Sequence, residues 1–137
     1  MIEFRQKSKT PSSASYVIVD PEIKEGQALI TEASVEYCGM SCPLTRRVMN
    51  CFGINKPVLY FHSFGTVNRE MRHKGYGRKM LQNIKEIYKG YIIYLAVSAS
   101  GGGPLNDKQL VKFYESEGFI TLKNVLRGGY LIMAIEL

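Results

Sequence analysis

The segment Thr66-Val67-Asn68-Arg69-Glu70-Met71-Arg72-His73-Lys74-Gly75-Tyr76-Gly77, together with its two flanks, decides the fold of this chain. The apolar run before it, residues 57–64, has the length and composition of a β-strand. After it, residues 78–89 carry apolar side chains at the spacing of one helix face. A strand, a glycine-bearing turn and a helix therefore follow one another. This order predicts that several backbone N–H groups and the positive end of the helix dipole point to one place. Such a point suits a phosphate group.

Two standard phosphate-binding motifs do not fit this turn. A dinucleotide-binding fingerprint needs a third glycine where the chain has Met80. A P-loop needs Gly-Lys-Ser/Thr, whereas Gly77 is followed by Arg78. The turn does match the pattern Arg/Gln-x-x-Gly-x-Gly/Ala, which reads here Arg72-His73-Lys74-Gly75-Tyr76-Gly77.

A second motif, Phe113-Tyr114-Glu115-Ser116-Glu117-Gly118-Phe119, follows one buried strand later. Together the two motifs resemble the GCN5-related N-acetyltransferase (GNAT) family, over residues 57–137. In that family the first motif cradles the pyrophosphate of acetyl-coenzyme A (acetyl-CoA). The resemblance implies transfer of an acetyl group from acetyl-CoA to an amine acceptor, a small molecule or a protein, by direct attack in a ternary complex. The family's asparagine before the tyrosine is replaced by Asp107 beside Asn106.

The resemblance also implies which residues form the site. The cofactor-binding set comprises the strand-end glycine, the turn and one residue before the second motif: Gly65, Val67, Arg72, His73, Lys74, Gly75, Tyr76, Gly77 and Asn106. Tyr114 matches the tyrosine that protonates the departing thiolate as a general acid. An amine nucleophile must also lose a proton, and Glu36, His62 and water stay open as the base.

Length and composition predict the number of domains, the location of the protein and the state of its cysteines. The 137 residues, 45% of them hydrophobic, predict one domain spanning 1–137. The chain has no apolar run of membrane-spanning length and no signal-peptide core, so we expect a cytoplasmic protein without membrane contact, as a monomer or homodimer. Cys38, Cys42 and Cys51 are an odd set without zinc-like spacing, which favours free thiols and no metal.

We expect an α/β (α+β) domain with a mixed, mostly antiparallel sheet flanked by helices. The strands before and after the glycine turn and its helix should be parallel, and the resemblance to the GNAT family implies that they splay apart. Asn106 should cap a further helix with Gln109 at the capping-box position. The remaining elements are strands at 1–6, 15–19, 28–37 and 91–97, a polar loop at 7–13, a helix at 43–52, and a closing hairpin at 119–125 and 130–137.

Two other functions are also compatible with the sequence. One is a non-catalytic domain of the same fold that binds acyl-CoA or a partner. The other is a nucleic-acid-acting protein, because the net charge is +6 and the chain has nine tyrosines. The sequence does not identify the amine acceptor.

Overall fold

The computed structural model describes residues 3–19, 29–37, 43–53, 56–66, 75–97, 106–127 and 130–137 of the chain. Over these ranges the strands form a seven-stranded sheet in the order β1-β2-β3-β4-β5-β7-β6. This mixed sheet with its helices confirms the expected α/β class. The elements in chain order are β1 (Glu3–Thr10), β2 (Ser13–Val19), β3 (Leu29–Glu36), α1 (Pro43–Phe52), β4 (Val58–Thr66), α2 (Tyr76–Ile87), β5 (Ile92–Ala96), α3 (Asp107–Ser116), β6 (Ile120–Arg127) and β7 (Tyr130–Glu136).

The chain divides into two compact units, each assembled from two separate segments. The first unit contains residues 1–36 and 62–88, and the second contains residues 37–61 and 89–137. β4 contributes its first residues to the second unit and its last residues to the first.

The first unit is an antiparallel meander of β1, β2 and β3 that packs against α2. Alternate residues of β2, namely Ala14, Tyr16 and Ile18, are buried on one face. Their register partners on β3 include Val35 and Ala33, which are buried as well. From α2, the buried residues are Met80, Leu81 and Ile84, which share one helix face. This apolar face of the meander and the apolar stripe of α2 form the core of the unit.

A pair of tyrosine hydroxyls ties the C-terminal end of α2 to the meander. The hydroxyl oxygens of Tyr16 and Tyr88 are 2.7 Å apart and form a hydrogen bond. The two rings meet edge to face at a centroid distance of 6.2 Å. On its other side Tyr16 stacks on Phe4 of β1, with the centroids 5.6 Å apart. A continuous row of aromatic rings therefore joins β1, β2 and the end of α2.

The second unit is organised around β5, which is buried on both faces. None of residues 92–95 is more than 2% exposed. β5 pairs in parallel with β4, with Val58 opposite Ile92 and Tyr60 opposite Tyr94. Its other edge pairs in antiparallel register with β7. The parallel pairing of β4 and β5 confirms the arrangement that the strand–turn–helix–strand order predicts.

Helix α1 and Gly118, which follows α3, lie on opposite faces of the sheet in this second unit. Val48 of α1 is fully buried in a cluster with Tyr94, Ile132 and Ala134, the residues of β5 and β7 that point to one side of the sheet. The loop after α3 meets the other side. A Cβ atom on Gly118, at the end of α3, would lie only 3.1 Å from Cδ1 of Ile135, which alternates with Ala134 along β7.

Two expectations about the elements are wrong. Residues 7–13 do not form a loop: β1 continues to Thr10, and only Pro11 and Ser12 turn before β2 starts at Ser13. β1 is an edge strand with one pairing partner, so it accepts polar and cationic side chains that sequence reasoning assigns to loops. The helix expected over residues 78–89 runs from Tyr76 to Ile87, so it begins directly after Gly75.

The packing of α2 predicts how two isoleucines on the same helix differ. Ile84→Ala should lower the free energy of unfolding by about 3 kcal/mol, because Ile84 is fully buried and its truncation leaves a cavity. Ile87→Ala is the matched control, since this side chain is 46% exposed, and its cost should stay below about 1 kcal/mol. Urea unfolding measures both values. Equal losses in the two variants would contradict the packing of α2 described above.

Candidate functional site

The N-terminus of α2 is capped by a glycine in the left-handed conformation. Gly75 has φ 81° and ψ 9°, and its carbonyl oxygen accepts the hydrogen bond from the Lys79 N–H at 3.0 Å. A side chain with a Cβ atom adopts this conformation only at a cost in strain, so the turn itself favours glycine here. Gly75 has no side chain and so makes no side-chain cap hydrogen bond to the first-turn N–H groups. These donors and the positive end of the helix dipole therefore face outward from α2.

Among the described residues, none fills the space directly beside Gly75. A Cβ atom built on Gly75 would meet no atom within 4 Å, and the residue is exposed. Gly77 lies in the first helical turn and is half-buried. Arg78 and Lys79, which follow it, are exposed cations. Open backbone donors next to positive side chains can bind an anion such as a phosphate or pyrophosphate group.

Part of the predicted turn lies outside the residues that the structure describes. Val67, Arg72, His73 and Lys74 belong to that part, and their assignment to the cofactor stays a prediction. Gly65 lies in β4, one residue before its end at Thr66. His62 lies in the same strand, and its side chain is outside the described part of the chain.

Tyr114, the predicted general acid, is a buried residue of α3. It is 7% exposed, and its ring lies between those of Phe113 and Phe119, at centroid distances of 5.4 and 5.5 Å. Burial raises the pKa of the Tyr114 hydroxyl well above its ordinary value, because a phenolate would lose its hydration. The oxygen is protonated throughout the neutral range, as it is in an exposed tyrosine, and burial makes this proton harder to lose. A protonated phenol can donate a hydrogen bond and can serve as an acid, but not as a base.

Asn106 caps α3 as the sequence predicts. Its side-chain oxygen accepts a hydrogen bond from the Gln109 N–H at 2.9 Å, and the Asn106 N–H donates to the Gln109 side-chain oxygen at 2.9 Å. Both halves of the capping box are therefore present. This cap fixes the start of the helix that carries Tyr114. The contact of Asn106 with a cofactor stays a prediction.

Glu36, one of the two candidate bases, is the last residue of β3. It is opposite Ser13 in the register with β2, and its side chain is half-buried. Glu36, His62, Gly65 and the N-terminus of α2 belong to the first compact unit, whereas Asn106 and Tyr114 belong to the second.

Sequence reasoning missed two features that shape these elements. It placed the start of α2 two residues late, although a glycine directly before an apolar helical period is a recognisable N-cap signal. It also missed the hydrogen bond between Tyr16 and Tyr88, which no spacing rule predicts because the two residues are 72 positions apart.

Within the described ranges no three His, Cys, Asp or Glu side chains form a set that could hold a metal ion. Cys51 is an exposed free thiol, as expected, and Cys38 and Cys42 lie outside the described residues.

The described helices include none that is both long enough and apolar enough to cross a membrane.

No model of a protein family and no curated protein matches the sequence. Solved structures do match the fold. The Arabidopsis thaliana NAA60 structure in complex with acetyl-CoA has a TM-score of 0.69 and 12% sequence identity, over 98% of each chain. A GNAT-family protein from Desulfovibrio desulfuricans has a TM-score of 0.61 and 14% identity, over 99% of each chain. The ribosomal-protein-S18-alanine N-acetyltransferase of Escherichia coli has a TM-score of 0.58 and 14% identity, over 93% of this chain and 70% of that one.

At identities this low, the likeness shows that the fold is shared. The chain therefore has the fold of the GNAT acetyltransferases over nearly its whole length.

The raised pKa of Tyr114 predicts a loss of stability at alkaline pH. The unfolded chain releases this proton near the ordinary tyrosine pKa of about 10, whereas the folded protein retains it. Above that pH the unfolded state binds fewer protons, so the free energy of unfolding should fall as the pH rises. Urea unfolding of the wild type and of Tyr114→Phe at a series of alkaline pH values should show a steeper decline for the wild type. Tyr37→Phe, which removes an exposed hydroxyl, should follow the wild type. Parallel curves for the wild type and Tyr114→Phe would contradict the effect of burial.

Proposed function

We propose that this protein is an acetyl-CoA-dependent N-acetyltransferase of the GNAT family that transfers an acetyl group to an amine. One observation carries the proposal: a helix whose N-cap is a left-handed glycine starts shortly after β4, in a chain that shares its fold with an acetyltransferase solved with acetyl-CoA. The sequence at this helix start is Arg72-His73-Lys74-Gly75-Tyr76-Gly77, which resembles the acetyl-CoA turn of that family.

The N-terminus of α2 fits the pyrophosphate of coenzyme A. Gly75 is exposed with open space beside its Cα atom, and an anion there can accept hydrogen bonds from the first-turn N–H groups and interact with the helix dipole. Arg78 and Lys79 are exposed near this helix end and supply positive charge. In this proposal Gly65, Val67, Arg72, His73, Lys74 and Asn106 complete the binding set that the family resemblance implies.

The bound cofactor would supply the acetyl group as a thioester, which an amine can attack. The chain must hold a proton for the sulfur atom that leaves, and Tyr114 is the residue that we assign to this role. Its phenolic oxygen is protonated at neutral pH, as in an exposed tyrosine, and can donate a hydrogen bond to the departing sulfur atom. Its position is fixed by two neighbouring rings and by the cap of α3. A fixed, protonated donor stabilises charge that develops at the leaving atom without reorganising.

The attacking amine must be neutral, and Glu36 and His62 remain our candidates for the base that removes its proton. The acceptor is a small-molecule amine or a protein amine, because the fold constrains the donor more closely than the acceptor. We place the whole activity in a single domain of residues 1–137.

The proposed pyrophosphate site can be tested with two matched glycine substitutions. Gly75→Glu should weaken acetyl-CoA binding at least about tenfold, because it places a side chain and a negative charge at the anion site. Gly90→Glu is the control: Gly90 has φ 90°, compared with 81° for Gly75, and a Cβ atom there also meets nothing within 4 Å. The two variants share the backbone strain, the open surroundings and the change in net charge. Calorimetric titration with acetyl-CoA should show near wild-type affinity for Gly90→Glu only, and equal affinities would remove the site from the N-terminus of α2.

The proposed role of Tyr114 predicts an effect on turnover. Tyr114→Phe should lower kcat about a hundredfold and leave acetyl-CoA affinity unchanged, because it removes only the proton donor. Tyr94→Phe is the control, since it also removes one buried phenol from the second unit. The Tyr94 hydroxyl points to the face that carries α1, where it lies 3.4 Å from the Thr45 hydroxyl.

Release of free thiol from acetyl-CoA in the presence of a panel of amines measures this turnover. A wild-type protein that binds acetyl-CoA but releases no thiol with any amine would indicate a non-catalytic acyl-CoA-binding domain. An unchanged kcat in Tyr114→Phe would exclude the tyrosine from the mechanism and leave the cofactor site standing.

A further inference from the structure

The C-terminal end of α3 is bonded to Tyr114 through the backbone. The Tyr114 carbonyl oxygen accepts hydrogen bonds from the N–H groups of Glu117 and Phe119, both at 3.0 Å. The Gly118 N–H donates to the Glu115 carbonyl oxygen, also at 3.0 Å. These bonds, together with a left-handed glycine at φ 97°, form the Schellman motif that ends many helices. The chain therefore turns back over the last turn of α3 directly after Gly118.

This turn places the ring of Phe119 against the ring of Tyr114. The two side chains are buried, and their ring planes meet at 59° with the centroids 5.5 Å apart. Phe113 also contacts the Tyr114 ring, but it is the preceding residue of the same helix and is only half-buried. Phe119 comes from beyond the helix end, and the next residue, Ile120, is already paired with Ala134 in the sheet. The Tyr114 ring is therefore held between its own helix and a residue that the sheet anchors.

Two constraints favour glycine at position 118. A residue with a Cβ atom adopts φ 97° only at a cost in strain. A Cβ atom would also lie 3.1 Å from Cδ1 of Ile135, so the turn or Ile135 would have to shift. Gly90, which follows α2, has a similar φ of 90°, but its N–H donates to the Leu137 carbonyl oxygen instead of to its own helix. The left-handed glycine of α3 thus joins the end of its helix to a packed ring, which the one after α2 does not.

We propose that Gly118 and Phe119 are positioning residues that hold the Tyr114 phenol in the orientation needed for acetyl transfer. The inference rests on the proposed function, in which the Tyr114 hydroxyl gives its proton to the sulfur atom as the bond between the acetyl carbon and the sulfur breaks. Solvent then returns to the phenolate the proton that the amine releases. Such a transfer depends on the distance and angle between donor and acceptor, so a loosely held ring is a poorer acid.

The proposal gives a physical reason for the spacing of the second motif. A Schellman motif places a glycine four residues after the tyrosine and a hydrophobic residue five residues after it, which are Gly118 and Phe119 here. A hydrophobic contact between those two helix-end positions commonly accompanies the motif. In this chain that contact is made by the residue assigned as the acid.

A double-mutant cycle tests whether Phe119 acts through Tyr114. Phe119→Leu should lower kcat about tenfold and leave the KM for acetyl-CoA unchanged, because it loosens the ring that carries the proton and not the N-terminus of α2. In a Tyr114→Phe background the same substitution should change kcat less than about twofold, because no proton remains to be positioned. Ile132→Val is the control, since Ile132 is fully buried beside α1, on the face of the sheet opposite Gly118, and its truncation should cost comparable stability.

A second pair of variants tests the glycine. Gly118→Ala should lower kcat about tenfold, because the strain and the contact with Ile135 shift the turn that carries Phe119. Gly90→Ala adds the same methyl group at a similar φ, where a Cβ atom meets nothing within 4 Å, and should keep the wild-type kcat. Thiol release from acetyl-CoA measures both values.

Ionisation of the Tyr114 phenol gives a readout that does not depend on acetyl transfer. In Phe119→Leu the pKa of Tyr114 should move from its raised value toward the ordinary tyrosine value, because a looser ring leaves the phenolate better hydrated. Ile132→Val should not change this pKa. Ultraviolet difference titration of each protein against its Tyr114→Phe counterpart isolates the phenol.

Two results would overturn the proposal. Equal fold-losses of kcat from Phe119→Leu with and without the Tyr114 hydroxyl would mean that Phe119 supports the fold and not the acid. An unchanged ionisation of Tyr114 in Phe119→Leu would mean that Phe119 does not hold the ring. Failure of the proposed function is distinguishable from both, because it appears as a wild type without thiol release or as an unchanged kcat in Tyr114→Phe alone, and the titration is independent of either.

Discussion

The exclusion of water from both faces of β5 is the constraint on which the second unit depends. A strand of five residues contributes four side chains that are almost completely buried, two to each side. Each side must therefore be covered, and α1 and the end of α3 provide this cover. Since the backbone groups of β5 are also buried, both of its edges need hydrogen-bonding partners, which are β4 in parallel and β7 in antiparallel register. The mixed character of the sheet follows from this single element.

The proposed donor site uses backbone rather than side chains. At the start of α2 the binding groups are N–H donors, and the left-handed glycine both directs the chain into the helix and leaves those donors uncovered. Tyr114 is organised differently, because apolar neighbours bury its ring and hold the phenol in one position. The helix start and Tyr114 thus depend on opposite physical conditions, since the first needs exposed backbone donors and the second is packed among apolar rings.

Local patterns in the sequence predicted the elements whose stability is local. The helix Pro43–Phe52 and the capping box of Asn106 and Gln109 were predictable because the relevant residues lie within one or two helical turns. β1 was harder, because an edge strand with exposed lysines has the composition of a loop and is defined by its pairing with β2. The contact of Tyr16 with Tyr88 and the burial of Tyr114 could not be predicted in detail, since both depend on residues brought together by the fold. Motifs identified the start of α2 and Tyr114 as candidates, and they do not test the roles proposed for them.

The division of the chain into two interleaved units has a consequence for synthesis on the ribosome. The meander of residues 3–36 emerges first, but the helix that covers its apolar face is not complete until residue 87, and its tyrosine anchor is residue 88. Until then Tyr16 and Ile18 lack their final neighbours. The nascent chain therefore carries an uncovered apolar sheet while residues 37–87 are synthesised, which is more than a third of the chain, and the hydroxyl and cationic side chains of β1 keep the exposed edge of that sheet soluble.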